Sequence, residues 1–231
     1  MTKKITRREA LAGSFLLAGS AVVPGGQAAK PVTPAQTEGP FYPDMDNNLT
    51  RVQGAKKKPK GDVIYVHGQV LNKEGKPVER AVVEIWQTDN KGIYDHAGDS
   101  RQAGRDLNFQ FFGRSVTNKS GRYVFKTIKP AAYGVRDDWQ RPPHIHYKVY
   151  RRGFEDLTTQ LYFAGDPLNA KDGIYNNVPK KDRTSVTIQF QASARISSGL
   201  AKTIADEFGQ KNGLEQEAKV GQFDIVINAV A

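Results

Sequence analysis

Ala132-Tyr133-Gly134-Val135-Arg136-Asp137-Asp138-Trp139-Gln140-Arg141-Pro142-Pro143-His144-Ile145-His146-Tyr147-Lys148-Val149-Tyr150 contains two of the chain's four histidines, as His144-Ile145-His146. The residues that follow alternate as a strand does, and a strand sends residues i and i+2 to one face. The two imidazoles are therefore expected on the same side, about 7 Å apart along the strand. Pro142 and Pro143 hold the approach extended and remove two backbone donors. A His-x-His pair by itself serves packing more often than metal binding. Zinc would ask for a third nitrogen, sulfur or carboxylate ligand, and the chain has no cysteine.

Working outward, the pattern from Asp62 onward is all β. Strands are expected at 63–71, 81–87, 109–116, 123–128, 144–150, 157–163, 186–189 and 223–228, with Gly-, Pro- and Asn-rich turns between them. Many short strands at close spacing indicate a two-sheet β-sandwich, here with long loops around a metal site. One short helix is expected over 199–209, where Leu200, Ile204 and Phe208 recur every four residues and Asn212-Gly213 provides a stop.

The 231 residues suffice for one large domain. The absence of cysteine excludes thiol nucleophiles, iron–sulfur clusters and zinc fingers. At the N-terminus, basic residues with the pair Arg7-Arg8 precede an apolar run from Ala10 to Val23 and the small residues Gly26-Gln27-Ala28-Ala29. This reads as a twin-arginine signal peptide over 1–28, directing export of a folded protein to the periplasm or beyond. The run is too short and mild for a spanning helix, so no stable membrane anchor is expected. Cleavage after Ala28 would reduce the net charge from +10 to +7. The run Lys56-Lys57-Lys58-Pro59-Lys60 reads as a solvated loop, and no nucleic-acid-binding module accompanies it. Residues 29–60 read as an extended arm, with the stiff aromatic segment Thr37-Glu38-Gly39-Pro40-Phe41-Tyr42-Pro43 as an anchor. Residues 61–231 form the sandwich.

Tyr94 follows the turn Asp89-Asn90-Lys91-Gly92, and Tyr133 stands eleven residues before His144; both are placed on long loops facing the His-x-His strand. Phenolates are hard anionic donors, so two tyrosines with two histidines favour ferric iron over zinc or copper. Nine tyrosines offer many pairs, however, and spacing alone does not select these two.

The selection comes from a resemblance. Glu38-Gly39-Pro40-Phe41-Tyr42, Val83-Glu84-Ile85-Trp86-Gln87, Gly92-Ile93-Tyr94 and Gly121 to Pro130 occur in order. Tyr133, Trp139 to His146, and Thr159-Gln160-Leu161-Tyr162-Phe163-Ala164-Gly165-Asp166-Pro167 follow. Over about Gly39 to Pro167 the chain resembles the intradiol ring-cleavage dioxygenases, in particular the iron-bearing subunit of the protocatechuate-cleaving type. The resemblance implies Fe(3+) held by Tyr94 and His144 in equatorial positions and by Tyr133 and His146 in axial ones. It implies a catechol-type substrate that loses two protons, partly to Tyr133, and reacts with O2 to give a cis,cis-muconate-type diacid. It implies that Arg141, always cationic, stabilises developing charge and that Gln160 is its neutral partner. Gln140 between Trp139 and Arg141, and the short loop from Tyr133 to Trp139, depart from the family pattern at the pocket rim. Members with a helical dimerisation domain differ from this chain, whose sandwich follows only an arm; a homo-oligomer is compatible with the resemblance. Arg136, Arg151 and Arg152 are expected near the pocket mouth, where they would favour an anionic substrate.

Two other readings compete. Gly68 to Val78 followed by Ala81-Val82-Val83 also opens transthyretin-like sandwich modules, exported and non-catalytic; those have no need for Tyr133, Arg141, His144 and His146 together. A zinc hydrolase would require a carboxylate base beside the histidines, for which Asp137 and Asp138 are the candidates.

Overall fold

The computed structural model describes residues 31–36, 46–136 and 138–230. The expected signal segment, the Thr37–Pro43 anchor and Asp137 lie outside the described residues.

Two sheets pack face to face. In the first, β1 (Val63–Leu71) is central and pairs antiparallel with β4 (Arg122–Ile128) along one edge. Its other edge is shared by two parallel partners, β11 (Lys219–Gln222) and then β12 (Ile225–Val226). β10 (Phe190–Ala192) extends this sheet beyond β11. The second sheet runs in the order β3 (Phe112–Val116), β2 (Val82–Trp86), β7 (His144–Tyr150), β8 (Leu157–Phe163) and β9 (Thr187–Ile188). A separate hairpin joins β5 (Tyr133–Arg136) to β6 (Trp139–Arg141).

The core between the sheets follows from alternation. Ile64, Val66 and Val70 of β1 and Phe125 of β4 meet Val83 and Ile85 of β2, Ile145, Tyr147 and Val149 of β7, and Leu157, Leu161 and Phe163 of β8. Because the side-chain period is two, the even-numbered residues of β7 and β8 must point the other way. His144, His146, Gln160 and Tyr162 therefore share the outer face of the second sheet. The site is built there, beneath loops, and not between the sheets.

The outer face of the first sheet is covered by α2 (Ser198–Glu207), which packs Leu200, Ile204 and Phe208 against Tyr65 and Val220. Ser197 caps it by accepting the Leu200 N–H. The helix ends earlier than the expected 199–209, because Gly209, at φ +61°, turns the chain just after Phe208. A second, one-turn helix, α1 (Gly173–Asn177), was not expected. Nor were β10, β11 and the β5–β6 hairpin. The strand expected from Phe109 begins only at Phe112, and those expected at 186–189 and 223–228 shrink to two residues each. Residues 46–60 contain no strand longer than a single bridge, Asn48 to Lys126, yet Leu49 is wholly buried in the core. Among the described residues no helix is long and apolar enough to cross a membrane.

Candidate metal centre

Tyr94 is delivered by the loop joining β2 to β3, and Asp89 shapes that loop. Its carboxylate, fully buried, accepts the N–H groups of Lys91 and Ile93 through one oxygen and that of Asp106 through the other. Gly92 then takes φ +73°, and a Cβ there would stand 2.6 Å from the Ala132 carbonyl. Only glycine lets this loop lie against the chain entering Tyr133. Asp99 accepts the Tyr94 N–H at 3.0 Å, and Arg101 ties Asp99 to the Gly92 carbonyl. The two phenol rings meet edge to face at 5.4 Å.

The imidazoles come from β7. They are closer than strand rise alone predicts: the ring centroids of His144 and His146 lie 4.9 Å apart because the rings lean together. Trp86, opposite His146 in the β2–β7 register, stacks on it at 4.9 Å and 4°. The His146 Nε2 lies 3.2 Å from the Tyr94 hydroxyl. His144 donates Nδ1–H to the Pro142 carbonyl at 2.7 Å, an acceptor that fixes the tautomer. Its Nε2 is then a lone-pair donor, buried and without a hydrogen-bond partner. Burial, then the nearby Arg141 cation, lowers the pKa of His144 to about 3, so the ring stays neutral. Tyr133, on β5 and not on a loop as expected, has its ring 5.7 Å from that of His144.

This donor set suits a cation. Adjacent ligands held at about 2.0–2.1 Å from one metal sit roughly 3 Å apart, close to the 3.2 Å between Tyr94 and His146. Burial, reinforced by Tyr133, raises the Tyr94 phenol well above its ordinary pKa. A bound cation reverses that preference by stabilising the phenolate. Of the two bases offered for a zinc hydrolase, Asp137 lies outside the described residues and Asp138 is exposed beside Arg136; among the described residues no cluster of three His, Asp or Glu exists.

Arg141 and Gln160, expected as functional side chains, lie beside the four donors. Arg141 is not in a surface salt bridge, being 3% exposed, and Gln160 is not a strand-edge amide, since its strand is flanked by β7 and β9. Arg141 pairs with Tyr133 across the hairpin, so one short element sets both. Its Nη2 donates to Gln160 Oε1 at 2.8 Å and to the Tyr162 hydroxyl at 3.1 Å. Asp172 takes Nε and Nη2 at 3.0 Å each, and it also accepts the Trp139 indole N–H at 3.3 Å and the Tyr175 N–H at the start of α1. Burial alone would lower the Arg141 pKa, but the hydrogen bonds and charge of Asp172 raise it. Tyr162 further donates to Gln36 Oε1, which brings the 31–36 segment into this network.

Sequence reasoning missed Tyr162, Asp172, Gln36 and Trp86. Tyr162 carried a signal, since it stands two residues after Gln160 on the same strand face. Asp172 carried none local to Arg141, 31 residues away. Arg151 and Arg152 are not at the mouth. They follow the far end of β7, about 20 Å from His144 by strand rise, where Arg151 donates to the Glu79 carbonyl.

A family profile described as Dioxygenase matches residues 37–205. The beta chain of protocatechuate 3,4-dioxygenase from Burkholderia cepacia is 40% identical over 163 residues, covering 69% of this chain and 68% of that one. Catechol 1,2-dioxygenase from Acinetobacter baylyi is 33% identical over 160 residues, 62% of this chain and 50% of the relative. Among solved structures, a mercury-inhibited catechol 1,2-dioxygenase from Acinetobacter sp. ADP1 matches with a TM-score of 0.65 at 27% identity, over 86% of this chain and 63% of that one. The chain spans about half the length of the curated catechol and hydroxyquinol dioxygenases it matches. These likenesses make it a dioxygenase fold with the sandwich of that class. The chain belongs to the intradiol ring-cleavage dioxygenase family, oxidoreductases that use non-haem iron. The transthyretin-like binding module is not favoured.

Proposed function

We propose that this protein cleaves a catechol-type ring between its two hydroxyl-bearing carbons. Both atoms of O2 enter the product, a cis,cis-muconate-type diacid, and Fe(3+) is held by Tyr94, Tyr133, His144 and His146. One observation carries the reading: two phenols and two imidazoles converge under loops, with a buried His144 Nε2 whose tautomer is already fixed as a ligand. When bound, the ferric ion supplies Lewis acidity that draws electron density from the deprotonated catechol towards reaction with O2. Tyr133, less enclosed than the buried Tyr94, is the phenol able to swing aside and accept a substrate proton. Arg141 directs positive charge at the ring carbon and oxygen where negative charge develops. Gln160 accepts from Arg141 as its neutral partner and adds no charge. Trp86, stacked on His146, holds the orientation of that ring.

The deciding experiment is a visible spectrum of the iron-loaded protein, repeated with catechol in the absence of oxygen. A tyrosinate-to-iron band that shifts with catechol, followed by oxygen uptake and ring opening, is the expected result. A protein that stays colourless after iron loading sinks the proposal. The twin-arginine-like start supports export to the periplasm, to be tested by fractionation and sequencing of the mature N-terminus; an active protein retained in the cytoplasm with Met1 intact refutes it. A homo-oligomer is also proposed, the Burkholderia cepacia relative being itself named as a beta chain; a single sedimenting species at the mass of one mature chain would count against it.

A further inference from the structure

Arg141 has five N–H donors in a planar fork. Asp172 engages Nε and Nη2, and Nη2 also reaches Gln160 and Tyr162. Nη1 is the one guanidinium nitrogen without a protein acceptor among the described residues, and it is not among the buried unpaired atoms. Among the described residues, the Nε–Nη2 edge of the fork is thus spent on scaffold and Nη1 is left without a protein acceptor. The partner doing this is itself immobilised. Asp172 is fully buried, caps α1 at Tyr175 and holds the Trp139 indole, so both ends of β6 are registered to the same carboxylate.

We infer that Asp172 is a positioning residue for the ring-opening reaction: it aims the free edge of Arg141 at the substrate, and it does so through α1, an element outside the sandwich. The inference rests on the proposed function for its kinetic consequence, but the orientation itself does not. A carboxylate that grips Nε and Nη2 together fixes the guanidinium plane, which a single amide oxygen from Gln160 cannot do. An error of about 1 Å in such a group costs on the order of a hundredfold in rate.

The test uses Asp172→Asn, which keeps a competent helix cap but loses the charge and one acceptor, and Asp172→Glu, which keeps the charge but displaces it by a methylene. Both are expected to lower kcat by roughly a hundredfold while iron content and the tyrosinate band stay as in the wild type. In an Arg141→Gln background, Asp172→Asn should cost nothing further, because the two residues act as one unit. Unchanged kcat in either single variant, or losses that multiply in the double variant, overturns the inference in favour of a purely structural cap. If the Asn protein does not fold, the Glu protein decides by the same criteria. An iron-independent reading comes from the Arg141 Nε–H resonance of the full chain before metal loading. It should exchange slowly in the wild type and lose that protection in Asp172→Asn. A protected resonance in a protein that neither colours with iron nor cleaves catechol means that the functional reading has failed while the placement of Asp172 stands. An unprotected one in the wild type means that the placement has failed.

Discussion

His144 can offer only one nitrogen to a cation, because the other is committed to the Pro142 carbonyl. The diproline explains why: it leaves a carbonyl with no competing N–H nearby and points it back at the ring two residues on. Substituting His144→Ala should abolish the tyrosinate band and reduce bound iron to trace levels with little loss of fold, readable by absorbance and metal analysis. A retained band would remove His144 from the ligand set. Arg141 is a different kind of residue, half of an ion pair whose side chains are 4% and 0% exposed. Replacing it by Gln strands the Asp172 carboxylate in the interior, which costs about 3–5 kcal/mol. Urea unfolding should show that loss together with the loss of activity; a stability within about 0.5 kcal/mol of wild type, the level of an inconsequential surface change, would contradict the buried pairing. At this scale the sequence disclosed the residues whose chemistry is unusual in their context. Two histidines on one strand face could be read directly, and Tyr94 and Tyr133 by resemblance. Asp172 could not, because an aspartate before a glycine is an ordinary helix start and its partner is met only in three dimensions.

Elements were legible in proportion to their alternation. β1, β7 and β8, with seven to nine residues each, carry enough repeats of the period to show their bounds. β9 and β12 were expected but as longer strands; they pair for only two residues each, as far as a neighbouring strand offers an edge, and no local pattern records that limit. The β5–β6 hairpin was read as a loop since its residues are mostly exposed and its register is broken between Gly134 and Arg136. Gly68 shows how much depends on one position in β1: a Cβ there would stand 1.9 Å from the Phe223 carbonyl oxygen. That carbonyl also receives the Tyr123 hydroxyl, and the Phe223 N–H donates to His67. Gly68→Ala must therefore push the 223–226 segment off β1, with a loss at or above the 1–3 kcal/mol typical of overpacking. A wild-type melting temperature for this variant would show that the segment can move aside freely. Ser197→Ala should cost only about 1 kcal/mol, because it removes one cap from an otherwise well-packed helix.

Across the whole molecule, the pieces that sequence reading left separate are joined by charge. Glu215, in the chain before β11, accepts from Lys126 of β4 at 2.7 Å and from Lys58 of the lysine-rich loop at 3.3 Å. The lysine run is solvated as expected, with Lys56, Lys57, Lys58 and Lys60 all exposed, yet this one contact ties it to the first sheet. Partial burial would raise the Glu215 pKa, but the Lys126 and Lys58 contacts outweigh that and hold it below the ordinary 4.5. Asp106 is likewise held below its ordinary value, since the N–H groups of Lys60 and Asn108 outweigh its burial. The sign follows from linkage: with the folded pKa depressed, these groups stabilise fully above the unfolded value and cease to do so as pH falls through the folded one. The urea midpoint should thus be flat from pH 7 to about 5 as far as these carboxylates are concerned, then fall below about 4.5. Glu215→Gln should lower the plateau at neutral pH and make the decline below it shallower. Added salt should weaken the wild type only slightly, because Lys126 is buried and Lys58, the exposed partner, is the weaker contact. If Glu215→Gln keeps the full acid slope, the lysine loop, β4 and the chain before β11 are held together by packing alone, and the charge network contributes nothing to the pH dependence.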